Sequence, residues 1–385
     1  MLNSLYVGSF GHMPKSLWVA AFALATVVLT GVVLEARVLL GFDSVLWVVL
    51  LLAVAALWVV AVVRLRVRRA VVVLAVVLAP VLVVTGGGGW LVAQNLASAE
   101  RASGTDALWM GHAWVDGRRS QSDVDGLVAR VREAKFRDLY VHSGPLSDDG
   151  SLDPALRPSA RWLVDALHRA LPGVRVQAWL GNVVDEGRLN LGDPASRARI
   201  VDSGRQVLDD GFDGVHYNFE PVPEGDRNLL EVLSTAREMT RARGKVLSVS
   251  ANQIEPVRGT NFLGQTLRGK PHWWSATYIG EVARRVDQIA VMSYDSGIPV
   301  EAAYTGYLRA QTRLALQVVP PEVDVLIGVP AYHDGPMHTR AETVAAAVRG
   351  IRLGVTPGRR LGAAVYVDFA ATPEDWAHYL SGWVH

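Results

Sequence analysis

Two textures of apolar and polar positions divide the chain. In its first quarter apolar residues come in unbroken runs: "LWVAAFALATVVLTGVVL" (17–34), "VLWVVLLLAVAALWVVAVV" (45–63) and "AVVVLAVVLAPVLVVTGGGGWLV" (70–92) hold no charged residue. A run of about 20 apolar residues is long enough to cross a bilayer core as a helix. The pattern therefore predicts three transmembrane helices, over 17–39, 45–63 and 70–93.

From about Thr105 the texture changes to a regular alternation. Eight short runs rich in β-branched and apolar residues appear: "ALWMGHAWV", "DLYVHSG", "VRVQAWLGN", "DGVHYNFE", "KVLSVSANQ", "QIAVMSYD", "VDVLIGVPAY" and "LGAAVYVDF". Between them lie amphipathic stretches such as "DVDGLVARVREAKF", "SARWLVDALHRAL" and "RNLLEVLSTAREMTRARG", apolar at helical spacing. Eight strand–helix units predict an α/β fold, a closed (β/α)8 TIM barrel. The open doubly wound sheet would want a glycine-rich phosphate loop after its first strand, and "GHAWVDGRRS" is not one. The expected division is a membrane anchor at 1–95, a linker at 96–104 and the barrel at 105–385.

Composition agrees with that division. Half of the 385 residues are hydrophobic, and the mean hydropathy of +0.21 is high because of the first quarter. A cleaved signal peptide would compete for the first run, but the run is long, lacks a small-residue cleavage site and is followed by two more spans. Arg64, Arg66, Arg68 and Arg69 crowd the second short loop, which places that loop in the cytoplasm. The N-terminus with Lys15 is then cytoplasmic, and everything after Trp90 is extracytoplasmic in a multi-pass cell-membrane protein. No cysteine is present, so that domain stands without disulfides. With a net charge of +1 and no basic cluster among aromatics outside the membrane loops, nucleic acid is not an expected partner.

The stretch "GFDGVHYNFEPV", Gly211 to Val222, is unusual. Val215, Tyr217 and Phe219 alternate with His216, Asn218 and Glu220, and a half-buried strand would leave the polar set in water. A barrel strand is enclosed on both faces, so the polar set points inward and Glu220 ends the fourth strand where barrel enzymes keep their chemistry. The two prolines that follow make a helix-capping role for Glu220 unattractive.

On these residues the chain resembles glycoside hydrolase family 18, the chitinase-like barrels, whose fourth strand reads Asp-x-x-Asp-x-Asp-x-Glu. Asp213 and Glu220 match the first and last positions, while His216 and Asn218 stand at the two inner aspartates. Met292, Tyr294 and Asp295 match the sixth-strand Met-x-Tyr-Asp, "VLIGVPAY" is similar to the seventh strand, and Tyr366 takes the place of the tryptophan that floors the sugar site. The resemblance implies a retaining, substrate-assisted hydrolase of polysaccharides containing N-acetylated amino sugars. Glu220 would protonate the glycosidic oxygen and the substrate's acetamido group would attack. Asn218 can orient that group but carries no charge, which should slow the chemistry. The "NFE" triplet is also similar to the Asn-x-Glu pair of family 85 endo-β-N-acetylglucosaminidases. His216 either donates to Asn218, pairs with Glu220 when protonated, or is a satisfied interior histidine. A carbohydrate-binding pseudoenzyme of the same fold is the rival reading.

Further residues at strand ends are candidates for a sugar pocket. Trp114, Trp179, Tyr294, Tyr332 and Tyr366 offer stacking faces, and His112, His142, Asn182, Asn252, Asp295 and Asp368 offer hydrogen bonds. Trp273 and Trp274 either flank a sugar chain or pack against the barrel. His112, His142, His216 and His333 lack the spacing of a metallohydrolase barrel, so neither metal nor cofactor is expected.

Overall fold

The period-two runs become strands and the period-3.6 stretches become helices. The structure, a computed structural model, describes Glu100 and residues 104–256 and 273–385. The anchor expected at 1–95 with its three spans lies outside the described residues. Among the described residues no helix is long and apolar enough to cross a membrane.

Eight parallel strands close into one barrel: β1 (Ala107–Met110), β2 (Asp138–His142), β3 (Arg175–Val183), β4 (Gly214–Glu220), β5 (Val246–Ala251), β8 (Gln288–Val291), β9 (Asp324–Pro330) and β10 (Leu361–Tyr366). The barrel shuts where β1 pairs with both β2 and β10. Two short strands, β6 (Gln253–Ile254) and β7 (Trp273–Trp274), pair separately. The helices are α1 (Gln121–Ala134), α2 (Ala160–Ala170), α3 (Pro194–Asp209), α4 (Arg227–Ala242), α5 (Ala276–Ala283), α6 (Glu301–Val318), α7 (Val344–Leu353) and α8 (Pro373–Tyr379). The (β/α)8 expectation holds on the described residues.

Local chemistry sets several helix starts. Ser120 and Asp123 form a capping box at α1, and Thr372 and Asp375 form one at α8, where Pro373 supplies the first helical position. Each such cap is worth about 1 kcal/mol.

Inside the barrel, small and large residues alternate so that the volume fills. Ala107, Ala290 and Ala364 make room for Trp109 and Tyr140, all of them buried. At the N-terminal end of the barrel the buried Asp138 takes two hydrogen bonds from Arg175, at 2.7 and 2.6 Å, and one each from Gln177 and Gln288. A buried carboxylate with its acceptors filled rigidifies that end; removal of one partner from such a pair costs about 3–5 kcal/mol. The opposite, C-terminal end is left for the site.

The Trp273–Trp274 pair resolves in favour of packing for Trp274. That indole is buried, its N–H donates to the Val222 carbonyl at 2.9 Å, and its ring meets Tyr278 edge-on at 5.0 Å.

Candidate active site

β4 supplies the centre of the site by strict alternation. Tyr217 points outward, its hydroxyl donating to the Ile200 carbonyl of α3 at 3.1 Å, while His216 is fully buried within the barrel. Asn218 and Glu220 continue the inward row and line a cleft of about 480 Å³ at the C-terminal end of the strands. Gly181 on β3 makes this geometry possible, because a Cβ there would lie 1.8 Å from the Asn218 carbonyl oxygen.

The cleft has an aromatic wall. Tyr294 and Tyr366 stack at 5.3 Å with 20° between planes, and Tyr332 stands edge-on to both, at 5.7 and 5.6 Å. Gly328 on β9 lets Tyr294 settle: a Cβ would meet its ring at 2.7 Å. Burial raises all three phenols above their ordinary pKa, so each stays a neutral donor. Trp109, Ser250, Met292 and Asp295 complete the lining, with Phe369 and residues 333–336 at the rim. β8 ends at Val291, so Met292, Tyr294 and Asp295 sit on the segment after the strand, which turns through the positive φ of 56° at Asp295.

Glu220 keeps exposed surface toward the open mouth while protein crowds its carboxyl. That crowding pushes its pKa above the ordinary carboxylate value; a hydrogen bond from Asn218 works against the shift and the charge of Asp295 adds to it. The open mouth tempers that desolvation. The side-chain oxygen of Asn218 is buried and has no hydrogen-bond partner, which leaves one acceptor unsatisfied at the cleft floor.

His216 is a satisfied interior histidine. The Trp109 indole N–H donates to Nε2 at 3.1 Å, Ser250 Oγ is 2.9 Å from the same nitrogen, and Nδ1 lies 2.7 Å from Ser248 Oγ. An indole can only donate, so Nε2 accepts and the ring proton is assigned to Nδ1. Its ring stacks on Tyr140 at 3.9 Å, and burial pushes its pKa down to about 3. Of the three alternatives for this residue, donation to Asn218 and an ion pair with Glu220 are not seen among the described residues, because the neutral ring already has partners on both nitrogens.

Other expected residues are not brought to the cleft. Asp213 lies at the far end of β4, where its carboxylate takes the Val176 N–H at 2.9 Å and contacts His168 at 2.7 Å and Lys245 at 3.4 Å. It ties the barrel's N-terminal end to α2 and β5. Trp114 sits on a single 3-10 turn, His112–Trp114, after β1; its indole donates to Asp368 Oδ2 at 2.6 Å, which turns the ring out of the lining. Trp179 is partly exposed and packs against His142 at 4.7 Å and the cleft residue Tyr366 at 6.2 Å, outside the cleft lining.

Asp295, His338 and Glu342 offer ligand atoms within 4.8 Å of one another. Glu342 already receives hydrogen bonds on both oxygens, Oε2 from the Asp295 N–H and Oε1 from Ser296 and Gly297, and these compete with a cation for it. Sequence reasoning missed Trp109, Ser250 and Phe369. For Trp109 the signal was present, since Ala107 and Trp109 are an inward period-two pair on β1.

No family model matches the sequence, and no curated relative does. Among solved structures the barrel is similar to a chitinase from Chromobacterium violaceum, 16% identical with a TM-score of 0.51, over 74% of this chain and 99% of that one. It is also similar to the spore cortex-lytic enzyme SleL of Bacillus megaterium, 15% identical with a TM-score of 0.52, over 74% of this chain and 75% of that one. The Bacillus cereus SleL gives 12% identity and a TM-score of 0.51 over the same shares. At these identities the likeness is one of fold.

Proposed function

We propose that the barrel is a retaining glycoside hydrolase acting on extracellular polysaccharide that contains N-acetylated amino sugars. The carrying observation is the pairing of Glu220, biased toward its protonated form, with Asn218, whose side-chain oxygen lacks a partner, in an aromatic-walled cleft. In this reading the Asn218 oxygen accepts the acetamido N–H, the acetamido oxygen bonds to the anomeric carbon, and the glycosidic bond breaks as Glu220 delivers its proton to the leaving oxygen. Water then opens the oxazolinium ion and returns a proton to Glu220. Tyr294, Tyr332, Tyr366, Met292 and Asp295 surround the sugar. The chitinase and spore cortex-lytic names of the similar barrels point to the same substrate class.

We further propose that spans at 17–39, 45–63 and 70–93 hold the chain in the cell membrane, N-terminus inside and barrel outside. Their uncharged length and the Arg64–Arg69 cluster support this.

Binding without turnover is favoured by one observation: neither inner position of β4 carries a charge, His216 being neutral and Asn218 an amide. Glu220→Gln separates the two readings, because it keeps shape and hydrogen bonding but removes the transferable proton. In a hydrolase, turnover disappears and oligosaccharide affinity stays within several-fold. In a lectin-like protein there is no turnover to lose, and affinity falls by at most the value of one hydrogen bond, about 0.5–1.5 kcal/mol. Wild-type protein that binds amino-sugar chains yet releases no reducing ends overturns the hydrolase reading.

A further inference from the structure

Glu342 is a buried carboxylate that the chemistry above leaves without a task. It stands one residue before Thr343, the N-cap of α7, and its side chain has no exposed surface. From there it reaches the segment that follows β8. Its Oε2 accepts the Asp295 N–H at 2.7 Å; its Oε1 accepts the Ser296 N–H at 2.9 Å, the Gly297 N–H at 3.1 Å and the Ser296 hydroxyl at 2.8 Å. Three successive backbone N–H groups thus converge on one anion, the nest geometry that makes a turn into a carboxylate holder.

The turn needs such a holder. Asp295 has φ 56° and Gly297 has φ 70°. Glycine is at ease in the left-handed region, whereas a residue with a Cβ adopts it at a cost and keeps it where surrounding contacts over-determine it. At Asp295 that conformation goes with a carboxylate that lines the cleft and accepts the Tyr332 hydroxyl on Oδ1 at 2.8 Å. The same Glu342 lies 3.6 Å from Nδ1 of His338, whose side chain is largely covered. Thr339 Oγ1 donates to the Ile298 carbonyl at 2.6 Å. The segment that follows the rim at 333–336 is therefore tied to the chain after the Asp295 turn by the Thr339 hydrogen bond, with the His338 ring close to Glu342.

We propose that Glu342 is a positioning residue: by holding the 295–297 turn it fixes the Asp295 carboxylate in the cleft and so sets the charge environment of Glu220. The inference rests on the reading of Glu220 as proton donor. Glu342→Gln is nearly isosteric but turns one acceptor into an NH₂ group, which must face either the Asp295 N–H or the Ser296 and Gly297 donors. The turn then relaxes and Asp295 leaves its place.

The test uses full-length protein and two readouts. In E342Q, kcat/KM for an amino-sugar oligosaccharide falls on the order of 10- to 100-fold, in kcat more than in KM, because Glu342 does not line the cleft and acts through the placing of Asp295 beside the reacting groups. The alkaline limb of the pH–rate profile moves to lower pH, because the Asp295 charge no longer favours protonated Glu220. The Glu220 titration, followed by NMR on carboxyl-labelled glutamate and assigned with E220Q, moves the same way. Folded E342Q protein that melts near wild type with both readouts unmoved overturns the proposal. Should E342Q fail to fold, S296A, which removes one of the four donors, is read by the same measurements, and an unmoved titration overturns it equally. If wild type hydrolyses nothing but E342Q shifts the Glu220 titration, the positioning role stands and the catalytic reading falls.

Discussion

Gly181 and Asn218 face each other across β3 and β4 in register, so closely that a Cβ on residue 181 would lie 1.8 Å from the Asn218 carbonyl oxygen. The atom in the way is backbone, which cannot swing aside. Gly181→Ala must therefore push β4 away at the residue that floors the cleft. The expected outcome is a loss of at least the 1–3 kcal/mol typical of overpacking, about as much as a small core tolerates, together with loss of turnover. Gly126→Ala on α1, where nothing lies within 4 Å, is the control and should be neutral or stabilising by up to about 1 kcal/mol. Thermal unfolding of both proteins checks the contrast; equal melting temperatures would contradict the close approach.

A second expectation concerns charge at Asn218. Its amide donates to Glu220 and so opposes the upward shift of that carboxyl. Asn218→Asp removes the donor and adds a negative neighbour, and both changes raise the Glu220 pKa. The alkaline limb of the pH–rate profile should move to higher pH, with the rate preserved or increased. Asn218→Ala should cost about 10²-fold, on the scale of one preorganised polar group. If the aspartate abolishes activity instead, the amide itself is required, as in the Asn-x-Glu enzymes.

The sequence makes the barrel legible because its signals are local and periodic. Each of the eight runs became a strand, and the alternation along β4 sorted His216, Asn218 and Glu220 from Val215, Tyr217 and Phe219 by face. Matching a motif along the strand misled at Asp213. Seven residues of strand at about 3.3 Å each put Asp213 roughly 23 Å from Glu220, so the two cannot share a site. Trp114 misled for another reason: alternation stops at Met110, and the turn that follows aims its indole at Asp368. Glu342 left no sequence signal at all. A carboxylate that serves mainly backbone N–H groups on a distant turn has no periodicity to betray it, and the Ser296 hydroxyl that joins them is 46 residues away in the chain.

The topology proposal predicts that protease added to intact cells cleaves near residues 96–104 and releases the barrel. The measurement is immunodetection of the released domain in the medium. Protection of the barrel until lysis would reverse the orientation drawn from the Arg64–Arg69 cluster.

The last prediction concerns Asp106, one residue before β1 and only 4% exposed. Its carboxylate accepts the Ala363 N–H of β10 at 2.8 Å, yet burial outweighs that bond and the other hydrogen bonds it receives, raising its pKa from 3.8 to about 6. Between those two values the folded protein holds a proton that the unfolded chain has released. The unfolded state thus binds fewer protons there, and stability must fall as pH rises through that window, levelling off above it. The two-unit difference corresponds to about 3 kcal/mol at most. Asp106→Asn keeps an acceptor for the Ala363 N–H and cannot ionise. Denaturant unfolding of the barrel, followed by tryptophan fluorescence from pH 4 to pH 7, should show the variant gaining on wild type steadily up to about pH 6. Any fixed effect of the new NH₂ group shifts the whole curve without changing this slope. A stability difference that does not vary with pH would mean that Asp106 is ionised in the fold throughout, and that burial at this position does not act on its charge.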